Sequence, residues 1–347
     1  MSALLVIKLG GTSLGSAARV RLAARRLRAH ARAGRRVVAV VSAAGGATDR
    51  IARMLAAVSG GRPHPREADR ALATGEDLSA ALLASALAAL GVPARSLRGG
   101  EAGVRVEGGF CGGRIASVDP APLRALLDAG VVPVVSGFQG TRADGETVTL
   151  GRGASDLSAV AIAAALGPAE CHIVTDVAGV FDRDPRVDAA ARFFPRLTHG
   201  ELLRLAESGA KVVHSEAARE ARRAGVPLRI HHFRAPLDGE HGTVVTATPR
   251  PPRSATDLAV PIGPPAAEIP ARESAKADFG PLLPRIHPPA LHPAEAVAQI
   301  PARESAKADF GPLLPRIHPP VPQPLLQPVP QAIPLPVLHP AEAEVAA

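Results

Sequence analysis

Lysine is rare in this chain, and where it occurs points to chemistry. Of 40 basic side chains only four are lysines, and only Lys8 and Lys211 precede residue 250. Both sit in glycine-bearing segments, where a compact ammonium differs from a guanidinium fork. In VIKLGGTSLGS, Lys8 is followed by Gly10, Gly11 and Thr12, with a helix expected from about Ser16. Glycines let backbone N–H groups approach an anion, a helix start adds its positive end, and Lys8 adds a full charge. That is phosphate-binding chemistry. The glycine spacing fits neither a Walker A loop nor the dinucleotide fingerprint, and a plain strand-to-helix turn is the competing reading.

Four further segments carry reactive or binding groups. VVSAAGGATD (Val40–Asp49) offers Ser42, Gly45, Gly46 and Thr48 at another strand-to-helix turn, where ligands of parallel sheets collect; a simple loop is the alternative. TLGRGASD places Arg152 between two glycines, free to reach a cleft and suited to a bidentate clamp on a carboxylate. Ser155 and Asp156 follow in the first helical turn, where Asp156 is either a ligand or a cap. IVTDVAGVFDRDPR ends a strand at Thr175 and Asp176, then runs into a polar loop with Asp182, Asp184 and Arg186, suited to ribose, phosphates and a metal. SGAKVVH sets Lys211 beside Gly209.

The elements that must position these groups alternate. Strands are expected at 4–9, 36–42, 131–136, 171–175 and 227–231. Helices are expected at 16–33, 47–58, 65–90 (with a possible break near Thr74), 120–129, 155–166, 199–206 and 215–224. Such alternation implies a three-layer αβα sandwich around a mostly parallel sheet. Residues 137–150 read instead as a hairpin turning at Ala143-Asp144-Gly145. Proline marks a second region: residues 251–347 hold 23 of the 35 prolines and three glycines, and the segment 269–289 recurs identically at 300–320. Two identical copies are too few to stack a core, and the composition favours polyproline II or disorder. The expected division is a catalytic domain at 1–250 and a Pro-rich tail at 251–347.

Composition excludes several classes. Aromatic residues make up 2% of the chain, without Trp or Tyr, so the net charge of +8 comes without the stacking groups that nucleic-acid binding uses. Two cysteines make no disulfide framework, and the N-terminus lacks a signal-peptide n-region, so a cytoplasmic protein is expected. No apolar run is read as long enough to span a bilayer.

Taken together, KLGGTS, VSAAGGATD, TGEDLS (74–79), VSGFQG, TLGRGASD, VTDVAGVFDRDPR and ESGAKVVH occur in the order and approximate spacing of the aspartokinase family, of the amino acid kinase superfold. The chain resembles that family over roughly Leu4 to Val245. The resemblance implies an ATP- and Mg²⁺-dependent phosphotransferase acting on the side-chain carboxylate of L-aspartate, in amino-acid biosynthesis. It implies a phosphate cradle of Lys8, Gly10, Gly11 and Thr12, with Lys8 and Asp156 at the chemistry. It implies an aspartate pocket of Ser42, Thr48, Glu76, Arg152, Ser155 and Asp156, in which Arg152 clamps the α-carboxylate while Glu76 and Asp156 meet the ammonium. Thr175, Asp176, Asp184, Arg186 and Lys211 fall on the nucleotide side. No protein residue is assigned as a metal ligand. A homodimer through the kinase domain is a family expectation. The chemistry is consistent: a side-chain carboxylate with a pKa of about 3.9 is already ionised and needs no general base. Positioning and charge neutralisation are what catalysis must supply.

Aspartokinases usually continue into paired ACT domains, whereas no βαββαβ pattern is read in the Pro-rich tail, so no feedback inhibition by lysine or threonine is expected of this chain alone. Two other readings stay open: the same fold with a different small-molecule acceptor, and a silent homologue that recruits a partner through the Pro-rich tail.

Overall fold

The computed structural model describes residues 4–151, 153–188, 190–209, 213–235 and 241–247. The Pro-rich tail, Arg152 and Lys211 lie outside the described residues. In chain order the elements are β1 (Leu4–Leu9), α1 (Gly11–Leu14), α2 (Ala17–Arg32), β2 (Arg36–Val41), α3 (Ala47–Val58), α4 (Pro65–Ala88), β3 (Ala94–Leu97), β4 (Val104–Glu107), β5 (Arg114–Val118), α5 (Ala121–Asp128) and β6 (Val132–Ser136). Next come β7 (Gln139–Thr141), β8 (Thr147–Thr149), α6 (Ala154–Leu166), β9 (Ala169–Thr175), β10 (Val180–Phe181), β11 (Phe193–Phe194), β12 (Arg196–Thr198), α7 (His199–Glu207), α8 (Ser215–Ala224), β13 (Leu228–His232) and β14 (Thr243–Thr246).

Eight strands form the main sheet in the order β12-β14-β13-β9-β1-β2-β6-β3. Every pairing is parallel except β13 with β14. The central strands read as near-continuous Val, Ile and Leu because both faces are covered. Leu5, Ile7 and Leu9 face α2 and α4, packing on Leu27, Leu83 and Leu87. Val6, Val38 and Val40 face the other layer, with Val160 and Ile162 of α6. The expected three-layer α/β sandwich is the observed one.

The period-2 alternation of β1 then decides where Lys8 goes. It shares a face with Val6 and therefore points to the α6 side. Helix α6 is buried almost all round, as a helix enclosed on every side must be. Opposite it, between the sheet and α2, lie three buried histidines: His30, His172 and His231. His231 Nε2 is 3.3 Å from His172 Nδ1.

The helix expected from about Ser16 is α2, whose N-cap Ser16 hydroxyl accepts from Arg19 N, and the single turn α1 fills the glycine segment before it. Two expectations need correction. Helix α4 does not break near Thr74. Gly75 stays helical because a side chain there would put a Cβ 2.8 Å from Ala43 Cβ, so its absence seats the helix on the β2–α3 loop. Helix α4 is also long and apolar enough to cross a membrane by length and composition, contrary to the expectation from hydropathy alone. It is a core helix instead, with Asp69 and Glu76 buried on one face.

A four-stranded sheet in the order β5-β4-β7-β8 is a feature the sequence pattern largely hides. The expected hairpin supplies β7 and β8, paired antiparallel from Gln139↔Thr149 to Thr141↔Thr147. Strands β4 (VRVE) and β5 (RIASV) are only four and five residues long and partly exposed, too short for their pattern to stand out.

Candidate active site

The C-terminal ends of β1, β2, β6 and β9 open on one cleft of about 470 Å³, within the size range of small-molecule sites. Lys8, Gly10, Gly11, Thr12, Ser42, Thr48, Glu76, Ser155, Asp156 and Thr175 all line it. Ten candidate residues drawn from five separate segments therefore meet in one place.

Backbone contact makes this convergence possible. A Cβ on Gly11 would lie 2.5 Å from Ala43 O, and Gly45 N donates to Gly11 O at 3.0 Å. The two glycine loops thus pack main chain against main chain, which any side chain would prevent. Gly46 and Gly153, the residues before α3 and α6, hold positive φ of 76° and 77°, a conformation glycine adopts without strain.

Two carboxylates in the cleft have opposite electrostatic situations. Asp156 Oδ1 lies 2.8 Å from Lys8 Nζ, with both side chains largely out of water. This contact is charge on charge, because among the described residues no donor is aligned on Oδ1 for a hydrogen bond. His214 N reaches the other oxygen at 3.4 Å. Glu76 is 3% exposed. Its Oε1 accepts from Ala43 N at 2.9 Å, and its Oε2 has no partner among the described residues. Burial pushes its pKa up from 4.5 to about 7, against the opposing pull of the Ala43 N–H. An unpartnered, buried carboxylate oxygen on the wall of an open cleft is a place for a cation.

The nucleotide-side candidates divide. Thr175 lines the cleft, and its hydroxyl lies 3.3 Å from Asp176 Oδ1. Asp176, Asp184 and Arg186 are not on the cleft wall but form an exposed cluster. Arg186 pairs with Asp184 at 2.9 Å and with Asp176 at 3.1 Å. Arg152 and Lys211 lie outside the described residues. Among the described residues no group of three or more His, Cys, Asp or Glu side chains is arranged to hold a metal. Mg²⁺ in phosphoryl-transfer sites is carried mainly by phosphate oxygens and water with one or two carboxylates, and Asp156 is a carboxylate in the cleft that fits such a part.

Sequence reasoning missed Ala43, Asp49, Phe138 and Val174, which also line the cleft. Asp49 lies one residue beyond Thr48, at the end of the VVSAAGGATD segment. Phe138 had a signal only in hindsight: VSGFQG reads as hairpin, yet Phe138 takes φ 67°, rare for a bulky residue and typical of functional sites. It is held there by its N–H donating to Ser158 Oγ at 3.1 Å and its carbonyl accepting from Leu150 N at 2.9 Å.

A mostly parallel sheet with a lysine, glycine loops and buried carboxylates at its C-terminal edge defines an α/β protein with a small-molecule cleft. The chain matches the amino acid kinase family model over residues 3–232 and belongs to that family. Among curated relatives, an aspartokinase of Geobacillus stearothermophilus is 43% identical over 242 residues, 70% of this chain and 58% of that one. The chain thus spans about three fifths of the length of such relatives. Among solved structures, aspartate kinase from Synechocystis has a TM-score of 0.61 at 39% identity, covering 73% of this chain and 41% of that one. E. coli aspartokinase III in complex with aspartate and ADP has a TM-score of 0.62 at 25% identity, covering 72% and 66%.

Proposed function

We propose that this chain transfers the γ-phosphoryl group of ATP to the side-chain carboxylate of L-aspartate, giving 4-phospho-L-aspartate. The observation that carries the reading is the polarity of the cleft: Lys8 supplies a cation at one wall and Glu76 a buried, half-satisfied carboxylate at another. A free amino acid presents the complementary ammonium, whereas an N-acylated acceptor has none to offer Glu76. The similarity to aspartokinases, one of them with aspartate and ADP bound, supports the same acceptor.

In this mechanism the acceptor carboxylate attacks as it stands, already ionised at neutral pH. Lys8, oriented by Asp156, neutralises charge where the phosphoryl group passes. Gly10 and Gly11 let the main chain approach the phosphates, and Ser42, Thr48 and Ser155 supply hydroxyls to the acceptor. Glu76 holds the ammonium and so sets which carboxylate faces the phosphate. Mg²⁺, carried with the nucleotide beside Asp156, supplies further charge neutralisation when bound. Arg152 as clamp on the α-carboxylate, and Asp176, Asp184, Arg186 and Lys211 on the nucleotide side, complete the proposal. We place the activity in residues 1–250, in a cytoplasmic homodimer, so deletion of 251–347 leaves turnover in place.

The test is Mg²⁺-dependent ADP release with L-aspartate, the acyl phosphate being trapped as hydroxamate. L-Glutamate, N-acetylglutamate and UMP serve as alternative acceptors. Hydroxamate formed with aspartate alone, and lost in Lys8→Ala, supports the proposal. Turnover with another acceptor keeps the kinase and replaces the substrate; folded protein that binds ATP but turns over none of the four sinks it.

A further inference from the structure

Asp69 lies two turns before Glu76 on α4, is wholly buried, and is not one of the residues lining the cleft. Seven residues apart, the two acids share a helix face about 10 Å apart along its axis. Asp69 Oδ1 accepts from the hydroxyl of Thr149, and Oδ2 accepts from Cys111 N at 2.9 Å. Thr149 is itself fully buried and is the last residue of β8. A carboxylate withdrawn from water is costly unless its oxygens are bonded, and here both bonds tie α4 to the four-stranded sheet.

The tie matters because the chain beyond Thr149 builds a wall of the cleft. Leu150 N donates to Phe138 O, which pins the left-handed Phe138 on that wall. Three residues beyond Leu150, Gly153 leads into α6, whose first turn carries Ser155 and Asp156. Gly113 N also donates to Thr149 O, at 2.9 Å. The end of β8 therefore leads into the segment that supplies Ser155 and Asp156 and bonds to Phe138. Gln139 Nε2 adds a second tie from β7 to α4, through Ala73 O at 3.2 Å and Asp77 Oδ1 at 3.0 Å.

We propose that Asp69 is a positioning residue for the acceptor half of the site: it locks α4 to the end of β8, fixing Glu76 relative to Phe138, Ser155 and Asp156. The cradle glycines Gly10 and Gly11 hang from the main sheet, Gly11 bonding to the β2–α3 loop, and Lys8 meets the lock through Asp156. Its loss therefore affects the acceptor more than the nucleotide. The substrate part of this inference rests on the aspartate kinase reading above; the structural part does not.

The experiment compares full-length Asp69→Ala, Asp69→Asn and Thr149→Val with the wild type, and takes Arg66→Ala as control. Arg66 joins the same helix to Glu146, just before β8, at 2.9 Å, but at the surface. Two readouts are taken: KM for L-aspartate and for ATP, and amide hydrogen exchange over residues 149–158 in unliganded protein. Asp69→Ala is expected to raise KM for aspartate about tenfold, as small misplacements do, with KM for ATP within about twofold and faster exchange over that segment. Asp69→Asn, which keeps an acceptor and a polar partner for Thr149, recovers most of both. Arg66→Ala changes neither. Equal rises in the two KM values, or unchanged exchange, overturn the proposal. Thr149→Val, equal in volume and lacking only the hydroxyl, decides the question if Asp69→Ala fails to fold. A wild type inactive with aspartate sinks the acceptor assignment alone, and the exchange readout still decides the lock.

Discussion

Two groups of charged residues flank the end of β9, and they differ in one respect. In the cleft, Glu76 is buried with an oxygen that nothing among the described residues satisfies, while Lys8 and Asp156 face each other largely out of water. In the loop after β9, Asp176, Asp184 and Arg186 are exposed and satisfy one another. Exposed pairs contribute about 0–1 kcal/mol because water screens them and side-chain entropy opposes them. A buried carboxylate lacking partners is a standing cost of folding, which a cationic ligand removes. Both segments come from acidic and basic residues next to glycines, so only their burial separates a poised site from a self-neutralised surface.

Substitutions can break this comparison. The largest effect is expected at Lys8: Lys8→Ala removes the charge nearest the transfer and leaves Asp156 uncompensated, lowering kcat about a hundred- to a thousandfold. Gly11→Ala comes next. Its Cβ would lie 2.5 Å from Ala43 O, so the two glycine loops must part, at a stability cost of about 1–3 kcal/mol in a thermal melt. Glu76→Gln keeps the shape but loses the charge, and KM for aspartate should rise roughly thirtyfold, about 2 kcal/mol for a hydrogen bond to a charged group. Arg186→Ala should be smallest, changing KM for ATP less than about fivefold. An Arg186 effect exceeding that of Glu76 would reverse the comparison.

Acidity sharpens it further. The pKa of Glu76 is raised in the folded protein, from 4.5 to about 7, so its contribution to stability is fully present below pH 4.5 and is lost as pH rises through 7. The ionised form is the one that holds an ammonium, so affinity for aspartate should improve as pH rises towards and through 7, and Glu76→Gln should flatten that profile. The histidines behind the sheet run the other way. Burial first, and the charge of His172 second, push His30 down to about 4 and His231 to about 3. Their contribution is present above pH 6.5 and is lost as pH falls towards those values. Melts of unliganded protein should therefore show a Glu76 effect between pH 4.5 and 7 that Glu76→Gln removes, superposed on an acid loss that it leaves.

Much of this protein is determined by sequence alone, because its signals are local. The central strands and most helices were legible from apolar runs and Ala/Leu/Arg periodicity, and α3 and α8 match their expected bounds residue for residue. The glycine turns were legible because only glycine permits such close main-chain approach and such φ values. What the sequence could not supply is any relation set by distant residues. Glu76 reads as an exposed helical acid until Gly75 seats α4 against Ala43 and buries it. Asp156 reads as a cap until the alternation of β1 turns Lys8 towards α6. Asp69 and Phe138 carry no local signal, because one acquires its partners 42 and 80 residues away and the other its backbone strain from Ser158 and Leu150. Burial and register are properties of the assembled layers, and those alone decided which charges in this chain are left waiting for a ligand.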